Sequence, residues 1–254
     1  MITHTILLAG GKGTRMLSKK AKVLQTLAGK SFLEHILSSA DAISDKVSIV
    51  VGFDKHAVKK EAVTILKKAK IYEQKDQIGT ADAVKTVIEF VDKNEKVLIL
   101  YGDVPLIRKN TLKKLFSLND SLSILTANVS DPTGYGRVLK DSNGLVEEII
   151  EEKDTNDQQK NIKEIFTGVM AVNGKILKEL IPLINNNNAS KEYYLTDLIG
   201  IANSNGFKIE TLSVSWEETL GANTRSEQEK LEQTYRKMKN EELLKKGITL
   251  IDKN

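Results

Sequence analysis

The stretch ILLAGGKGTR, residues 6–15, decides the fold of this chain. Its apolar run from Ile6 to Ala9 stops at two glycines, Gly10 and Gly11, which is the pattern of a strand buried on both faces and closed by a glycine turn. A loop at the carboxyl end of such a strand lies where open α/β sheets bind their ligands. We therefore expect the glycine loop, from Gly10 to Arg15, to hold phosphate.

The glycine loop matches neither of the two common phosphate-binding sequences. Lys12 stands between the glycines, so the spacing is wrong for a Walker loop, and Met16 occupies the place of the third glycine of a dinucleotide fingerprint. A phosphate loop of another type remains, in which glycine N–H groups approach a triphosphate and Arg15 chelates it through two parallel bonds. Taken alone, the loop is equally compatible with a tight turn that carries surface cations.

Strands and helices alternate through the first half of the chain. Short apolar runs predict buried strands at Val47 to Val51 and at Val97 to Tyr101. Apolar residues at helical spacing predict helices around residues 32–37, 58–66 and 84–91. This alternation indicates a parallel sheet covered by helices on both faces.

The pattern changes in the second half, where strands follow one another directly. Leu122 to Val129 read as a strand, and Arg137 to Glu151 read as a hairpin whose turn is Ser142, Asn143 and Gly144. The remaining predicted elements are helices near residues 112–116, 176–183, 195–202 and 226–246, and a loop at the asparagines of residues 185–188.

The last predicted helix is highly charged and has one apolar stripe, formed by Leu231, Tyr235 and Met238. Such a helix is typical of a solvated element that packs on a domain by a single face. We therefore expect a catalytic core over residues 1–227 and a C-terminal helix and tail, residues 228–254, packed on it.

Composition excludes several classes of protein. The 254 residues are 40% hydrophobic and 28% charged, which is typical of a globular domain, and the absence of cysteine excludes disulfides, thiolate metal sites and cysteine nucleophiles. The net charge of +4 forms no basic stripe, and no apolar run approaches the roughly 18 residues of a membrane span. The amino terminus lacks the features of a signal peptide. We expect a cytoplasmic protein with no nucleic-acid or membrane partner.

One series of motifs runs in a single order through nearly the whole chain: LAGGKGTRM, KVLQTLAGK, GTADA, LYGDVPL, DPTGYGRV, IIEEKD, TGVMAVNG, KEYYLTD and GANTR. Between about Leu7 and Ile251 this series resembles the uridyltransferase domain of the bacterial bifunctional N-acetylglucosamine-1-phosphate uridyltransferase/glucosamine-1-phosphate acetyltransferase family. The resemblance implies an α/β, Rossmann-like nucleotidyltransferase fold. Its mixed, mostly parallel sheet would carry helices on both faces and a small β-hairpin over the sugar site.

The resemblance also implies how the nucleotide is held. Arg15 and Lys22 would meet its phosphates, and Asp103 would join them as a catalytic residue. A glutamine amide offers a donor and an acceptor to the uracil edge. The residues that would contact the nucleotide are Leu8, Ala9, Gly10, Gly11, Gln74, Gln77, Gly79 and Thr80.

A Mg²⁺ ion is the cofactor that the resemblance implies, bound by Asp103 and Asn223. Mg²⁺ prefers hard oxygen ligands and usually takes only one or two from protein, so two such residues suffice. The three histidines, His4, His35 and His56, lack ligand spacing, and we expect packing or surface roles for them.

On the sugar side, the implied residues are Tyr101, Gly136, Glu151, Phe166, Tyr194 and Thr196. Phe166 departs from the family, which has an asparagine there that contacts the sugar. Either the ring faces the sugar and weakens its binding, or it points into the core and only the backbone touches the sugar. Smaller departures are Gly10 for an alanine, Ala21 for a proline, and Ala81 with Asp82 for glycine and histidine.

The expected reaction joins N-acetylglucosamine 1-phosphate to UTP and releases pyrophosphate. Two alternatives stay open: a nucleotidyltransferase for another sugar 1-phosphate or for dTTP, and a catalytically silent nucleotide-sugar binding module. The β-helix that carries the acetyltransferase site of the family lies outside this sequence, so we expect no acetyl transfer and a monomer.

Overall fold

The computed structural model describes residues 2–118 and 121–251. Its strands are β1 (Thr3–Ala9), β2 (Thr26–Leu27), β3 (Lys30–Ser31), β4 (Lys46–Val51), β5 (Lys70–Glu73), β6 (Lys96–Tyr101), β7 (Leu122–Asn128), β8 (Arg137–Lys140), β9 (Val146–Ile150), β10 (Glu164–Asn173) and β11 (Ile209–Val214). Its helices are α1 (Phe32–Asp41), α2 (Lys55–Ile65), α3 (Thr80–Lys85), α4 (Lys109–Leu118), α5 (Gly174–Leu180), α6 (Asp197–Ser204) and α7 (Arg225–Lys245).

The described strands form one nine-stranded sheet and a separate two-stranded hairpin, β2–β3. The main path of the sheet runs β11-β7-β10-β6-β1-β4-β5, and the hairpin β8–β9 joins it through β10. β1 is parallel to both β4 and β6, and β11 is parallel to β7, whereas β10 is antiparallel to β6 and β7. The mixed, mostly parallel α/β sheet is therefore confirmed.

The central strands are apolar on both faces because each face carries its own core. Ile6 and Ile99 pack into one cluster of buried residues, and their neighbours Leu7 and Leu98 pack into another. Continuous burial of this kind is what a parallel sheet between two helical layers requires. Within the sheet, Leu8 near the end of β1 pairs with Tyr101 at the end of β6.

The helices differ from prediction mainly at their ends. The helix predicted over residues 84–91 is α3, which ends at Lys85 and is followed by a separate 3-10 turn, Ile88–Phe90. The helix predicted through residue 183 leaves the α conformation after Leu180, where Pro182 has no N–H to continue the helical bonding. α6 begins at Asp197, two residues later than predicted.

α7 is fixed at its amino end by a cap and along its length by the hairpin β2–β3. Thr224 accepts a hydrogen bond from the backbone N–H of Glu227, and Gln228 and Glu232 bond backbone groups of residues 26 and 28. The stripe of Leu231, Tyr235 and Met238 packs in a cluster with Leu27 and Phe32.

The expected division into residues 1–227 and 228–254 places its boundary in the first turn of α7, and it stays a proposal. Residues 1, 119–120 and 252–254 of those two predicted domains lie outside the described part. Within the described part, no helix is both long and apolar enough to cross a membrane.

Candidate functional site

A cleft of about 560 Å³ opens at the carboxyl ends of β1 and β6. Twelve of the predicted site residues line it: Leu8, Gly10, Gly11, Arg15, Lys22, Gln74, Gln77, Gly79, Thr80, Tyr101, Asp103 and Asn223. These residues come from distant parts of the sequence, so the fold brings the predicted nucleotide and metal residues to one surface. Ala9 is different, because its side chain is buried in the core behind the cleft.

The glycine loop leaves its amide groups available. Among described groups, no acceptor is bonded to the backbone N–H of Gly11, Lys12 or Gly13. Gly13 has a φ of +62°, and a 3-10 turn over Thr14–Met16 follows it. Consecutive free N–H groups at a turn form a concave site for an anion, and the exposed Arg15 lies beside them.

Three side chains meet at the end of β6. The Lys22 Nζ atom donates to Asp103 Oδ2 at 2.6 Å and to Asn223 Oδ1 at 2.5 Å. Gly13 packs against the Lys22 stem, since an added Cβ at Gly13 would lie 3.0 Å from Lys22 Cβ. One cationic nitrogen therefore lies between the two predicted metal ligands and against the glycine loop.

Local structure explains how Asp103 and Asn223 reach each other. Gly102 lets the chain turn after β6, because a Cβ there would lie 2.8 Å from Leu8 O, and Gly221 lets the second segment approach Asp103 O. The backbone N–H of Asn223 donates to Glu227 Oε2 at 2.6 Å, which fixes Asn223 just before α7.

The oxygen pair fits a hard divalent cation. A carboxylate oxygen and an amide oxygen already converge on one positive nitrogen, and both are of the ligand type that Mg²⁺ selects. The described residues contain no group of three or more His, Cys, Asp or Glu side chains that could hold a metal, so this pair is not part of a larger carboxylate cage.

Gln74 differs from the sequence expectation in what it offers a ligand. Its Nε2 donates to Gly79 O at 2.8 Å and to Asp82 Oδ2 at 2.8 Å, so both amide hydrogens are used within the protein. Gln74 is 6% exposed and lines the cleft. Only the acceptor, Oε1, is left for a base, where a donor and an acceptor were expected.

Most of the predicted sugar residues form a second group behind Tyr101. Thr196 Oγ1 donates to Glu151 Oε1 at 3.0 Å, and a Cβ added to Gly136 would lie 3.8 Å from that same oxygen. Tyr194 lies two residues before Thr196 and is half-buried. The hairpin β8–β9 and the start of α6 hold this group together, and none of its four members lines the cleft.

Burial changes the ionisation of this second group. It raises the pKa of Glu151, although the Thr196 hydroxyl opposes the shift by bonding the carboxylate. Burial also raises the pKa of Tyr101, and the nearby Glu151 charge adds to that effect. Tyr101 therefore acts here as a neutral phenol, hydrogen-bonded to Thr80.

The Phe166 ring belongs to the core and does not line the cleft. Phe166 is 5% exposed, and its ring packs edge-on against Tyr101 with centroids 6.1 Å apart. Between Phe166 and Met170 the register of β10 with β7 shifts, and Gly168 in this bulge packs directly on the Tyr101 ring. This placement favours the second expectation, in which the ring supports the wall and leaves the sugar to other groups.

Sequence reasoning missed several residues that line or shape the cleft. Lys12, Thr14 and Glu192 line it, and Asp82 holds Gln74. All four lie inside the motifs quoted above, but the motifs did not predict what these residues do. Their contacts form only in the folded structure, and residue type and spacing do not reveal them.

The fold and the cleft define the class of protein. Residues 5–160 match the family of MobA-like NTP transferase domains, and the chain belongs to this family, which confirms the predicted nucleotidyltransferase class.

Particular relatives are similar over almost the whole chain. It is 43% identical over 251 residues to the protein named bifunctional protein GlmU of Saccharophagus degradans, covering 97% of this chain and 55% of the relative. The protein of the same name from Francisella philomiragia is 42% identical over 255 residues, covering 99% and 56%. That of Francisella tularensis subsp. novicida is 42% identical over 253 residues, covering 98% and 55%. The chain thus spans about 55% of the length of these relatives.

Proposed function

We propose that the chain transfers a uridylyl group from UTP to N-acetylglucosamine 1-phosphate and releases pyrophosphate, as a UDP-N-acetylglucosamine diphosphorylase. The observation that carries the proposal is the convergence of Lys22, Asp103 and Asn223 beside a glycine loop with free N–H groups. A silent binding module needs no such combination of anion site and cation site. The motif series supplies the expected substrates.

The chemistry demands positioning more than proton transfer. A sugar phosphate has a second pKa of about 6, so its oxygen is anionic near neutral pH and needs no general base. That oxygen forms a bond to the α-phosphorus while the bond to the bridging oxygen breaks, and pyrophosphate leaves with the electron pair. Negative charge must then be aligned and neutralised.

The residues of this chain are arranged for that task. The N–H groups of the glycine loop bind phosphate oxygens, and Arg15 binds a further pair through its planar fork. The Lys22 ammonium neutralises charge at the end of β6. Asp103 and Asn223 would hold Mg²⁺, which supplies further neutralisation of the phosphates when bound.

The sugar would lie on the Tyr101 side of the cleft. We propose that Glu151, Tyr194 and Thr196 bind its polar groups and that Gly136 leaves room for it. UTP and the sugar 1-phosphate are the only partners that the proposal requires. Monomeric state and a cytoplasmic location stay predictions.

A pyrophosphate-release assay tests the proposal. The purified chain is given UTP or dTTP with N-acetylglucosamine, glucosamine or glucose 1-phosphate, with Mg²⁺ or with EDTA, and products are identified by mass spectrometry. We expect UDP-N-acetylglucosamine only when Mg²⁺ is present. Release with another pair would reassign the substrate, and no release with any pair would overturn the proposed activity. Glu241→Ala, at an exposed position on α7, is the control variant and should match the wild type.

A further inference from the structure

The orientation of the Gln74 amide is dictated by two acceptors. Gly79 O and Asp82 Oδ2 each lie 2.8 Å from Gln74 Nε2. The reverse orientation would place the amide oxygen against a carbonyl and a carboxylate, with no hydrogen between them, so it is excluded on electrostatic grounds. A buried amide cannot leave such partners unsatisfied without a free-energy penalty.

The Gln74 oxygen faces the opening that Gly10 leaves. A Cβ added to Gly10 would lie 3.2 Å from Gln74 Oε1, and both residues line the cleft. Within residues 2–118 and 121–251, no donor is bonded to this oxygen. The cleft therefore presents a single acceptor at this point and no donor from Gln74.

Pyrimidine bases differ at the atom that such an acceptor can read. Uracil carries an N–H at position 3 between two carbonyl oxygens, whereas cytosine carries a bare acceptor nitrogen at position 3. An acceptor on the protein pairs with the uracil N–H and repels both the cytosine nitrogen and the uracil carbonyls. A donor would reverse that preference.

We propose that Asp82 is a positioning residue for base selection: it holds Gln74 with its oxygen toward the cleft, so that the protein reads the imide N–H at position 3 of uracil. The inference rests on the proposed function, since it takes the base of a nucleoside triphosphate as the ligand at Gln74. Asp82 does not touch the base. It acts by accepting a hydrogen bond from the Gln74 amide, and this bond opposes rotation of the amide.

Local structure explains why Asp82 can do this. It lies in the first turn of α3, two residues after Thr80, and Gly79 before the helix has a φ of +133°. Gly79 also packs so closely on Tyr193 that an added Cβ would lie 2.3 Å from Tyr193 O. The helix start is thereby fixed in place, and the Asp82 carboxylate with it.

Calorimetric titration with UTP and with CTP, without sugar phosphate, tests the inference. Asp82→Leu, which has the same branched shape and no acceptor, removes one of the two acceptors that hold the Gln74 amide, and we expect the ratio of UTP to CTP affinity to fall about tenfold, near the upper end of the effect of one hydrogen bond. Asp82→Asn keeps an acceptor oxygen and should keep the wild-type ratio. Affinity for inorganic pyrophosphate should be the same in all three proteins, because the glycine loop is untouched.

The outcomes separate the inference from the proposed function. An unchanged UTP to CTP ratio in Asp82→Leu, or an equal fall in Asp82→Asn, overturns the inference even if the wild type transfers uridylyl groups. A wild type that shows the expected ratio and its loss in Asp82→Leu, yet releases no pyrophosphate with any sugar phosphate, overturns the proposed function alone. If Asp82→Leu does not give a cooperative thermal transition, Asp82→Ala replaces it with the same expected fall.

Discussion

At each end of the central strands a lysine contacts a carboxylate, but the two carboxylates differ in how far they are exposed. At the carboxyl end, Lys22 contacts Asp103, whose side chain is 32% exposed, beside a loop with free amide groups. At the amino end, Lys46 and His4 contact Glu95, whose side chain is 1% exposed.

The difference lies in how completely the polar groups are satisfied. Glu95 also accepts from the backbone N–H of Asp92, and the second ring nitrogen of His4 bonds Ser48, so the amino-end network closes on itself. The carboxyl-end group leaves acceptors and donors facing a cleft. A closed network contributes to folding, and an open one can contribute to binding, so the same pair of residue types serves two purposes.

The largest effect on stability should come from Phe166, whose ring is buried in the core beside Tyr101. Phe166→Asn removes a buried ring and introduces an amide without partners, so we expect unfolding free energy to fall by about 3 to 5 kcal/mol. Denaturant unfolding measures it. Phe166→Leu should lose much less, because it keeps apolar volume. A stable Phe166→Asn protein with a lower KM for the sugar phosphate would instead place the ring at the sugar.

Breaking the amino-end network should cost nearly as much and leave catalysis alone. Glu95→Leu deprives His4 and the Asp92 N–H of their acceptor, and we expect a loss of about 3 kcal/mol in unfolding free energy. Glu95→Gln should recover part of it. The kcat of the folded variant should equal that of the wild type. A marked fall in kcat with unchanged stability would mean that the two ends are coupled.

Asp103→Ala is the corresponding variant at the carboxyl end of the strands. Its carboxylate fills no core volume, so the thermal transition should stay within a degree or two of the wild type. Removal of one preorganised electrostatic contact should lower kcat about 100-fold or more. Turnover close to the wild type at saturating Mg²⁺ would contradict the proposal that Asp103 binds the metal ion.

Sequence alone predicted β1, β4, β6 and β7 and the glycine loop, because an unbroken apolar run such as Val97 to Tyr101 is typical of a buried strand. It missed β5, the central strand β10, and β11, in which only Ile209 is buried. The contact of Lys22 with Asn223 spans 201 residues and follows from the whole sheet, and the motif series implied only that one meets the phosphates and the other the metal ion. The motif series did not predict the role of Asp82, because that role depends on which amide hydrogens of Gln74 donate within the protein.

Arg15 should show a smaller effect than Asp103. It is exposed, so Arg15→Ala should lower nucleotidyl transfer about tenfold without a change in circular dichroism. Arg15→Lys should recover only part of this, because lysine keeps the charge and loses the planar fork. Lys22→Ala should lower the rate as well. Normal turnover in both alanine variants would reduce the glycine loop to a turn.

The smallest expected effect is a pH dependence of stability that distinguishes the closed network from the open one. Burial lowers the pKa of His4, with Lys46 and Lys70 adding to the shift and Glu95 opposing it. The unfolded chain therefore binds a proton at His4 at a higher pH than the folded chain does, and stability present above about pH 6.5 is lost as the pH falls below it.

Two carboxyl groups also make the stability of the protein depend on pH. Burial raises the pKa of Glu95, but Lys46, the Asp92 N–H and His4 together outweigh it and leave the pKa low, so its contribution is lost only at more acidic pH. Burial raises the pKa of Asp197 to about 6, with Asp154 and Glu148 adding to it, and this group gains stability as the pH falls.

Because Asp197 opposes His4, the measurement must be a difference between variants. Unfolding free energies of the wild type and His4→Gln, taken at pH 7.5, 6.5, 5.5 and 5, should converge as the pH falls, since only the wild type carries the histidine that must stay neutral when folded. Curves that separate as the pH falls would mean that folding raises the pKa of His4 and that Glu95 holds it as an ion pair, and parallel curves would mean that folding leaves this pKa unchanged.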